Sequence, residues 1–159
     1  MQATLGGQVN LIGPNTAGSY DLNVPAASDT LVARATTDTL TNKTLSNPTV
    51  TNYVESVVAI GTVTTASTLS LTNGTVQTAT LTASTACTFT MPTAVAGKSF
   101  ILLLKQAATT GNGTATFTAV KWNGNGAPTM TPTAGRMDIF TFVSDGSNWY
   151  GSYSQGYTP

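Results

Sequence analysis

Apolar and polar residues alternate with a period of two along several stretches of the second half of the chain. In residues 87–91, Cys87, Phe89 and Met91 point one way and two threonines point the other. The stretches 114–120 and 136–143 alternate in the same way. A period of two predicts β-strands with one buried face. Residues 100–104 are apolar at every position, which predicts a central strand.

Turn residues separate these stretches and predict how the strands connect. Asn73-Gly74 lies between residues 68–71 and 75–81, and Asp145-Gly146 follows the strand that ends at Val143. Dipeptides of this kind favour short hairpins. Apolar residues do not recur at helical spacing, so no helix of useful length is predicted. Residues 55–159 are therefore predicted to form about eight short strands in an antiparallel, jelly-roll-like β-sandwich.

The predicted sandwich core consists of large apolar residues drawn from these strands. In residues 136–143 the pattern places Met137, Ile139 and Val143 on one face, which is taken as the buried one. The full predicted core is Leu69, Leu71, Leu81, Phe89, Ile101, Leu103, Phe117, Ile139 and Phe142.

Residues 1–54 differ from the rest in composition and are predicted to form an extended β-rich arm. Two stretches alternate, residues 8–12 and 19–24, but the segment has too few large apolar residues to bury a core of its own. Chains of this kind gain order by adding strands to the sheet of a partner. The predicted partner contacts are Val9, Leu11, Tyr20, Leu22 and Val24. The predicted domains are thus 1–54 and 55–159.

Charge and composition exclude several classes of function. Six basic and six acidic residues cancel, and only 8% of residues are charged, against about 25% in an average globular protein. A nucleic-acid partner is not expected without a basic surplus, and no apolar run is long enough to predict a membrane span. The first residues also lack the basic and apolar regions of a secretory signal.

The chain offers little for catalysis or metal binding. Histidine is absent and Cys87 is the single cysteine, so imidazole triads and cysteine zinc sites are not expected. Cys87 is interpreted as a buried apolar residue. Asp138 and Asp145 could meet across a hairpin, but Asp145 is better interpreted as a turn residue and Asp138 as part of a solvent face. We predict no enzyme, with no catalytic, cofactor or metal residue.

Aromatic residues cluster near the C-terminus, and two interpretations of them stay open. On one strand, Trp149 and Tyr153 would share a face while Tyr150 takes the other. They would then pack in the core or a subunit interface, or they would form a surface that stacks on a host glycan.

Two parts of the chain resemble bacteriophage virion fibre and capsid decoration proteins. The first is residues 29–50, which contain Thr-Leu-Thr-Asn-Lys-Thr-Leu at 39–45. This resembles a linker of phage fibres and head appendages. The second lies within residues 79–151, where segments such as Asp145-Gly-Ser-Asn-Trp-Tyr-Gly151 are similar in order and spacing to a β-sandwich module of phage fibres.

The resemblance implies a homotrimeric, non-enzymatic virion component that binds the major capsid protein or another virion protein. The compact chain favours a capsid decoration (cement) protein or short head fibre on the capsid surface. The alternative is a tail fibre or tail-tip receptor-binding protein that recognises a host surface glycan. Trimer contacts are expected at Leu31, Leu40 and Leu45, the recurring apolar positions of the arm.

Overall fold

The computed structural model describes residues 37, 39–41, 43–124 and 126–159. The chain divides between Pro48 and Thr49, and the second unit comprises residues 49–159. The predicted arm residues Val9, Leu11, Tyr20, Leu22, Val24 and Leu31 lie outside the described residues.

All the described strands lie in the second unit. They are β1 (Val57–Val63), β2 (Ala66–Thr68), β3 (Val76–Leu81), β4 (Ala86–Thr90), β5 (Ser99–Lys105), β6 (Thr114–Phe117), β7 (Val120–Lys121), β8 (Met137–Ser144) and β9 (Trp149–Tyr157). No helix occurs in the part of the chain that the structure describes. The all-β prediction is thereby confirmed for these residues.

The strands form two sheets, and the chain crosses between them at each early step. One sheet has the order β1-β3-β5-β8-β9-β7, and the other has the order β2-β4-β6. The pairs β1–β3, β3–β5, β2–β4 and β4–β6 are all parallel. Three strand–turn–strand coils are thus stacked in the manner of a β-solenoid. Only β5–β8 and β8–β9 pair antiparallel, so the prediction of an antiparallel, jelly-roll-like sandwich is wrong for the first six strands.

The Asn73-Gly74 turn accounts for this difference. It joins β2 to β3, which belong to different sheets, so it turns a corner instead of closing a hairpin. A Cβ atom at Gly74 would lie 2.5 Å from the carbonyl oxygen of Ser56, which leads into β1. Glycine is therefore needed for close backbone approach to the neighbouring coil.

The second predicted hairpin is confirmed. Asp145 follows β8, and its Oδ1 accepts hydrogen bonds from the backbone N–H groups of Ser147 and Asn148, with N···O distances of 2.8 and 2.7 Å. An aspartate that ties down the next two amides stabilises a tight turn. Asp138 lies at the other end of β8 and pairs with Leu104, so the two carboxylates do not form a pair.

The core lies between the two sheets and is centred on Phe117 of β6. Its ring centroid lies 5.2 Å from that of Phe89 in the same sheet, and 4.9 and 5.4 Å from those of Phe140 and Phe142 in the opposite sheet. Leu69, Leu81, Phe89, Phe117 and Phe142 are buried as predicted, and Leu71 is partly buried.

Three predicted core residues point the other way. Ile101, Leu103 and Ile139 lie on the face of the large sheet that turns away from the small one, and Ile101 is 39% exposed. The alternate residues of β5 and β8 fill the core: Phe142, which was predicted, together with Phe100, Leu102, Leu104 and Phe140, which were not. The alternation was predicted correctly, but the buried face was chosen wrongly for Ile101, Leu103 and Ile139.

Candidate functional site

The residues of the large sheet that point away from the small sheet form a surface that we call the outer face. Ile101 and Leu103 of β5 are paired in register with Thr141 and Ile139 of β8. Val57 of β1 and Val143 of β8 extend this surface, and they are 63% and 50% exposed. A sheet with one covered face usually carries polar side chains on the other, so this row of aliphatic residues is unusual.

Hydroxyl side chains flank the aliphatic row on both sides. Thr78 and Thr80 of β3 lie on one flank, and Ser152 and Ser154 of β9 lie on the other. Lys105 of β5 and Lys121 of the edge strand β7 are the two charged residues among the described strand residues of the outer face. Glu55 lies at the end opposite to Lys105, where its carboxylate accepts a hydrogen bond from the Thr75 hydroxyl and lines a shallow depression beside Ile101.

A second surface feature is an aromatic corner beside β9. Trp122 and Tyr153 are half-buried, and their rings meet edge to face with centroids 6.0 Å apart. Trp122 packs closely against the backbone of β9, since a Cβ atom at Gly151 would lie 2.5 Å from its Cζ3 atom. The glycine thus makes room for the indole.

Of the two predicted ligand-surface residues, the structure places one in the core. Trp149 is 2% exposed; its ring meets Phe100 edge to face, and its Nε1–H donates to the carbonyl of Pro92. A buried indole with its polar atom satisfied has no free face for a sugar. Tyr153 retains partial exposure and contacts Trp122, which sequence reasoning did not single out. The strand pattern gave no signal for Trp122 because it follows the two-residue β7.

Asp138 is buried and holds the loop before β8 and the end of β9 together. Oδ2 accepts from the backbone N–H of Thr131 at 2.8 Å, and Oδ1 accepts from the Thr131 hydroxyl at 2.6 Å and the Gly156 N–H at 2.9 Å. Gln155 Nε2 adds a fourth contact at 3.3 Å. The interpretation of Asp138 as a solvent-facing residue is wrong, because its neighbours supply a full set of donors.

Gln106 fastens the same loop from the other side. Its Nε2 donates to the carbonyls of Gly113 and Thr131, each at 2.8 Å, and its Oε1 accepts from the Gly113 N–H. These polar side chains satisfy backbone groups that lie between strands. Asp138 and Gln106 therefore have a structural role: they hold the loop before β8 in place.

The hairpin tip carries the clearest electrostatic effect. Hydrogen bonds from the backbone N–H groups of Asn148 and Ser147, and then from the Tyr150 hydroxyl, lower the pKa of Asp145 from 3.8 to about 2. The same contact raises the pKa of Tyr150, because the phenol proton is shared with a carboxylate. Asp145 and Tyr150 are both exposed, and their hydrogen bond stabilises the hairpin turn itself.

The described segment before β1 exposes most of its large apolar side chains. Leu40 and Leu45, two of the predicted trimer contacts, are 49% and 60% exposed. Val50, Tyr53 and Val54 are 58%, 67% and 91% exposed. The described residues of this segment form no strand or helix.

Cys87 is buried as predicted, and its thiol donates to the carbonyl of Val63 at 3.2 Å. No group of three His, Cys, Asp or Glu side chains that could hold a metal ion occurs among the described residues. Within the same residues, no helix is long and apolar enough to cross a bilayer.

Comparisons with protein-family models, with curated protein sequences and with solved structures find no match for this chain.

Proposed function

We propose that this chain is a non-enzymatic structural protein of a bacteriophage virion, a trimeric decoration protein or short head fibre that binds and stabilises the capsid. The observation that carries the proposal is the row of exposed apolar side chains in the segment before β1. Val50, Tyr53 and Val54 sit directly before the folded strands, and none of them is more than half-buried. Exposed apolar residues that are grouped in this way mark an interaction site.

The backbone of this segment supports the same function. Residues 49–56 form no strand, and a segment that lies outside the sheets can add to the sheet of another protein. The stacked coils that follow supply a rigid body behind the attachment segment. Three such segments on one trimer would bind several capsid subunits at once, and multivalent binding raises avidity without a strong single contact.

The experiment is co-sedimentation of the full chain with phage particles that lack it, followed by separate assays with purified heads and tails. We expect binding to heads, and a higher temperature or osmotic shock needed to release the genome from decorated particles. The double variant Val50→Asp/Val54→Asp should bind at least about tenfold more weakly, since each change places a charge in an apolar contact. Val95→Asp is the matched control, because Val95 is also exposed, at 51%, but lies in the loop before β5.

A receptor-binding role on the tail is the second candidate, and the Trp122–Tyr153 corner favours it. Partly exposed aromatic rings in contact can stack on the apolar face of a sugar. Binding to host cells or tails but not to heads, lost in Tyr153→Ala and kept in Val50→Asp/Val54→Asp, would support this candidate and contradict the capsid role.

A further inference from the structure

We propose that Asn123 is a site of spontaneous deamidation, at which a side-chain amide becomes a carboxylate next to the aromatic corner. The chain contains four Asn-Gly pairs, at 73–74, 112–113, 123–124 and 125–126. In such a pair the backbone nitrogen of the glycine can attack the asparagine side chain, since glycine has no side chain that obstructs the approach. Asn125 lies outside the described residues. The other three pairs differ in how firmly the fold holds the glycine.

The reaction needs only water as a second reactant. The backbone nitrogen of Gly124 attacks Cγ of Asn123 and loses its proton to water. The N–Cγ bond forms, the Cγ–Nδ2 bond breaks, and Nδ2 leaves as ammonia, so that a succinimide ring remains. Water then opens the ring. Aspartate results if the N–Cγ bond breaks, and isoaspartate results if the bond from nitrogen to the main-chain carbonyl carbon breaks. Nothing is oxidised or reduced.

The exposure of the asparagine side chains does not distinguish the three pairs. Asn73, Asn112 and Asn123 are all exposed. The glycines that follow them differ, because Gly113 is buried, Gly74 is half-buried and Gly124 is exposed. The glycine nitrogen has to move onto the asparagine Cγ atom, so the free energy needed to release the glycine from its surroundings is expected to control the rate.

Gly113 is the most firmly held of the three glycines. Its N–H donates to Oε1 of Gln106 at 2.9 Å, and its carbonyl accepts from Nε2 of the same side chain at 2.8 Å. A Cβ atom at Gly113 would lie 2.7 Å from the carbonyl oxygen of Thr82. The N–H of Asn112 is also bound, to the carbonyl of Pro132 at 2.8 Å. The nitrogen can attack only after these contacts have opened, so Asn112 is protected.

Gly74 is held by the packing of the neighbouring coil. A Cβ atom there would lie 2.5 Å from the carbonyl oxygen of Ser56 and 3.1 Å from Cγ2 of Val58 in β1. Its own carbonyl lies 3.4 Å from Nε2 of Gln77. These contacts limit how far Gly74 can move towards Asn73, and we expect an intermediate rate for this pair.

Gly124 is the least constrained. Apart from its chain neighbours, no described heavy atom lies within 4 Å of a Cβ atom built at this position. The local turn is closed by a hydrogen bond of 2.9 Å from the N–H of Gly126 to the carbonyl of Asn123, and this bond does not engage the Gly124 nitrogen. Exposed loops with few contacts open at little cost in free energy. The Asn123-Gly124 pair therefore meets the requirement for ring closure.

Deamidation at this position changes the charge of the aromatic corner. The formal net charge of the chain is zero, and each event adds one negative charge directly after Trp122, whose ring contacts Tyr153. Lys121, at the end of β7, directly precedes the indole. Isoaspartate also lengthens the main chain by one methylene group where it leaves β7. The site thus produces a slow and irreversible change in the surface that the receptor-binding candidate uses.

The test compares the folded full chain with the same chain unfolded in urea, both incubated at mildly alkaline pH. Peptide mass spectrometry with fragmentation locates each converted asparagine and distinguishes Asn123 from Asn125. In urea the three described pairs should react at similar rates, because the fold no longer separates them. In the folded chain we expect Asn123 to react within about threefold of its rate in urea and Asn112 to be slowed at least about a hundredfold, since local opening costs range from near zero to the global stability.

Gly124→Ala is the matched variant, because the open space at this position admits a Cβ atom without disturbing the fold. The added methyl group obstructs the attacking nitrogen, so the rate at Asn123 should fall several-fold while the rates at Asn73 and Asn112 stay unchanged. Asn123→Gln should remove the first acidic species that anion-exchange chromatography separates from the unchanged chain.

Three results would overturn the proposal. They are a folded-chain rate at Asn123 no higher than that at Asn112, the same relative rates in the folded chain and in urea, or a rate at Asn123 that Gly124→Ala leaves unchanged. Each readout is a mass or a charge of the purified chain. Failure of this proposal is therefore distinguishable from failure of the proposed function, which is measured by binding to particles.

Discussion

Replacing Asp138 by asparagine should destabilise the folded unit far more than the same change at an exposed aspartate. Oδ2 faces the Thr131 amide and Gln155, and Oδ1 faces the Thr131 hydroxyl and the Gly156 amide. In asparagine one of these positions becomes an NH2 group. Whichever oxygen is replaced, a backbone N–H of Thr131 or Gly156 then faces another donor.

The size of the loss follows from those contacts. A buried donor left without an acceptor costs about 1–3 kcal/mol, and a hydrogen bond to a charged group contributes about 1.5–3 kcal/mol. One orphaned amide and one weakened contact give a loss of about 3 kcal/mol for Asp138→Asn. The assay is equilibrium urea unfolding at neutral pH and fixed protein concentration, followed by tryptophan fluorescence.

Asp145→Asn is the control, since Asp145 is exposed and the amide oxygen of asparagine can still accept from the Ser147 and Asn148 amides. We expect a clearly smaller loss for this variant. If Asp138→Asn cost no more than Asp145→Asn, the four contacts would not be stabilising, and the description of Asp138 as an anchor would be wrong.

Three further outcomes are expected. Phe117→Ala should cost about 4 kcal/mol in the same unfolding assay, because Phe117 joins the rings of both sheets; a loss below about 1 kcal/mol would contradict that role. Gly151→Ala should displace the Trp122 indole, costing about 2 kcal/mol and shifting tryptophan emission, whereas Gly124→Ala, with open space around it, should do neither. The lowered pKa of Asp145 means that its contribution to stability is complete above pH 3.8 and is lost as the pH falls towards about 2; Asp145→Asn should flatten thermal unfolding midpoints in that window, and an unchanged acid dependence would refute the assignment.

The sequence predicted strands well because a period of two is local information. The predicted stretches 87–91 and 136–143 lie within one residue of β4 and β8 at each end. The partner of each strand is not local information. Asn73-Gly74 has the composition of a hairpin turn, yet here it leads from one sheet to the other. Nothing in a dipeptide distinguishes a turn between paired strands from a turn between stacked sheets.

The choice of buried face failed for a related reason. In β8 the faces carry Met137, Ile139 and Val143 on one side and Phe140 and Phe142 on the other. Both are apolar, so the pattern alone does not decide between them. The buried Asp138 made the inner face look like the outer one, because a carboxylate usually points to solvent. Its donors come from the loop before β8 and from β9, and their convergence is visible only in three dimensions.

The candidate surfaces were predictable only in part. The aromatic cluster near the C-terminus was recognised from the sequence. In the structure Trp149 is buried in the core, and the ring beside Tyr153 is that of Trp122. The aliphatic outer face arises because two strands that are apolar on both sides lie next to each other, and this adjacency depends on topology.

The parallel stacking of β1, β3 and β5 also affects how chains of this type can change in length. Each coil presents to the next the same kind of edge, a parallel strand whose inward residues continue the core. Between β1 and β3 the register advances by 19 residues at Val57↔Val76, and between β3 and β5 it advances by 25 at Val76↔Ile101. The coils thus already differ in length, with the extra residues placed in the connecting turns. Insertions and deletions in those turns, or the gain of a whole coil beyond β1, therefore leave the Phe117 core and the β8–β9 hairpin in place. Related chains can be expected to vary in height at the β1 end while they keep the β8–β9 end constant.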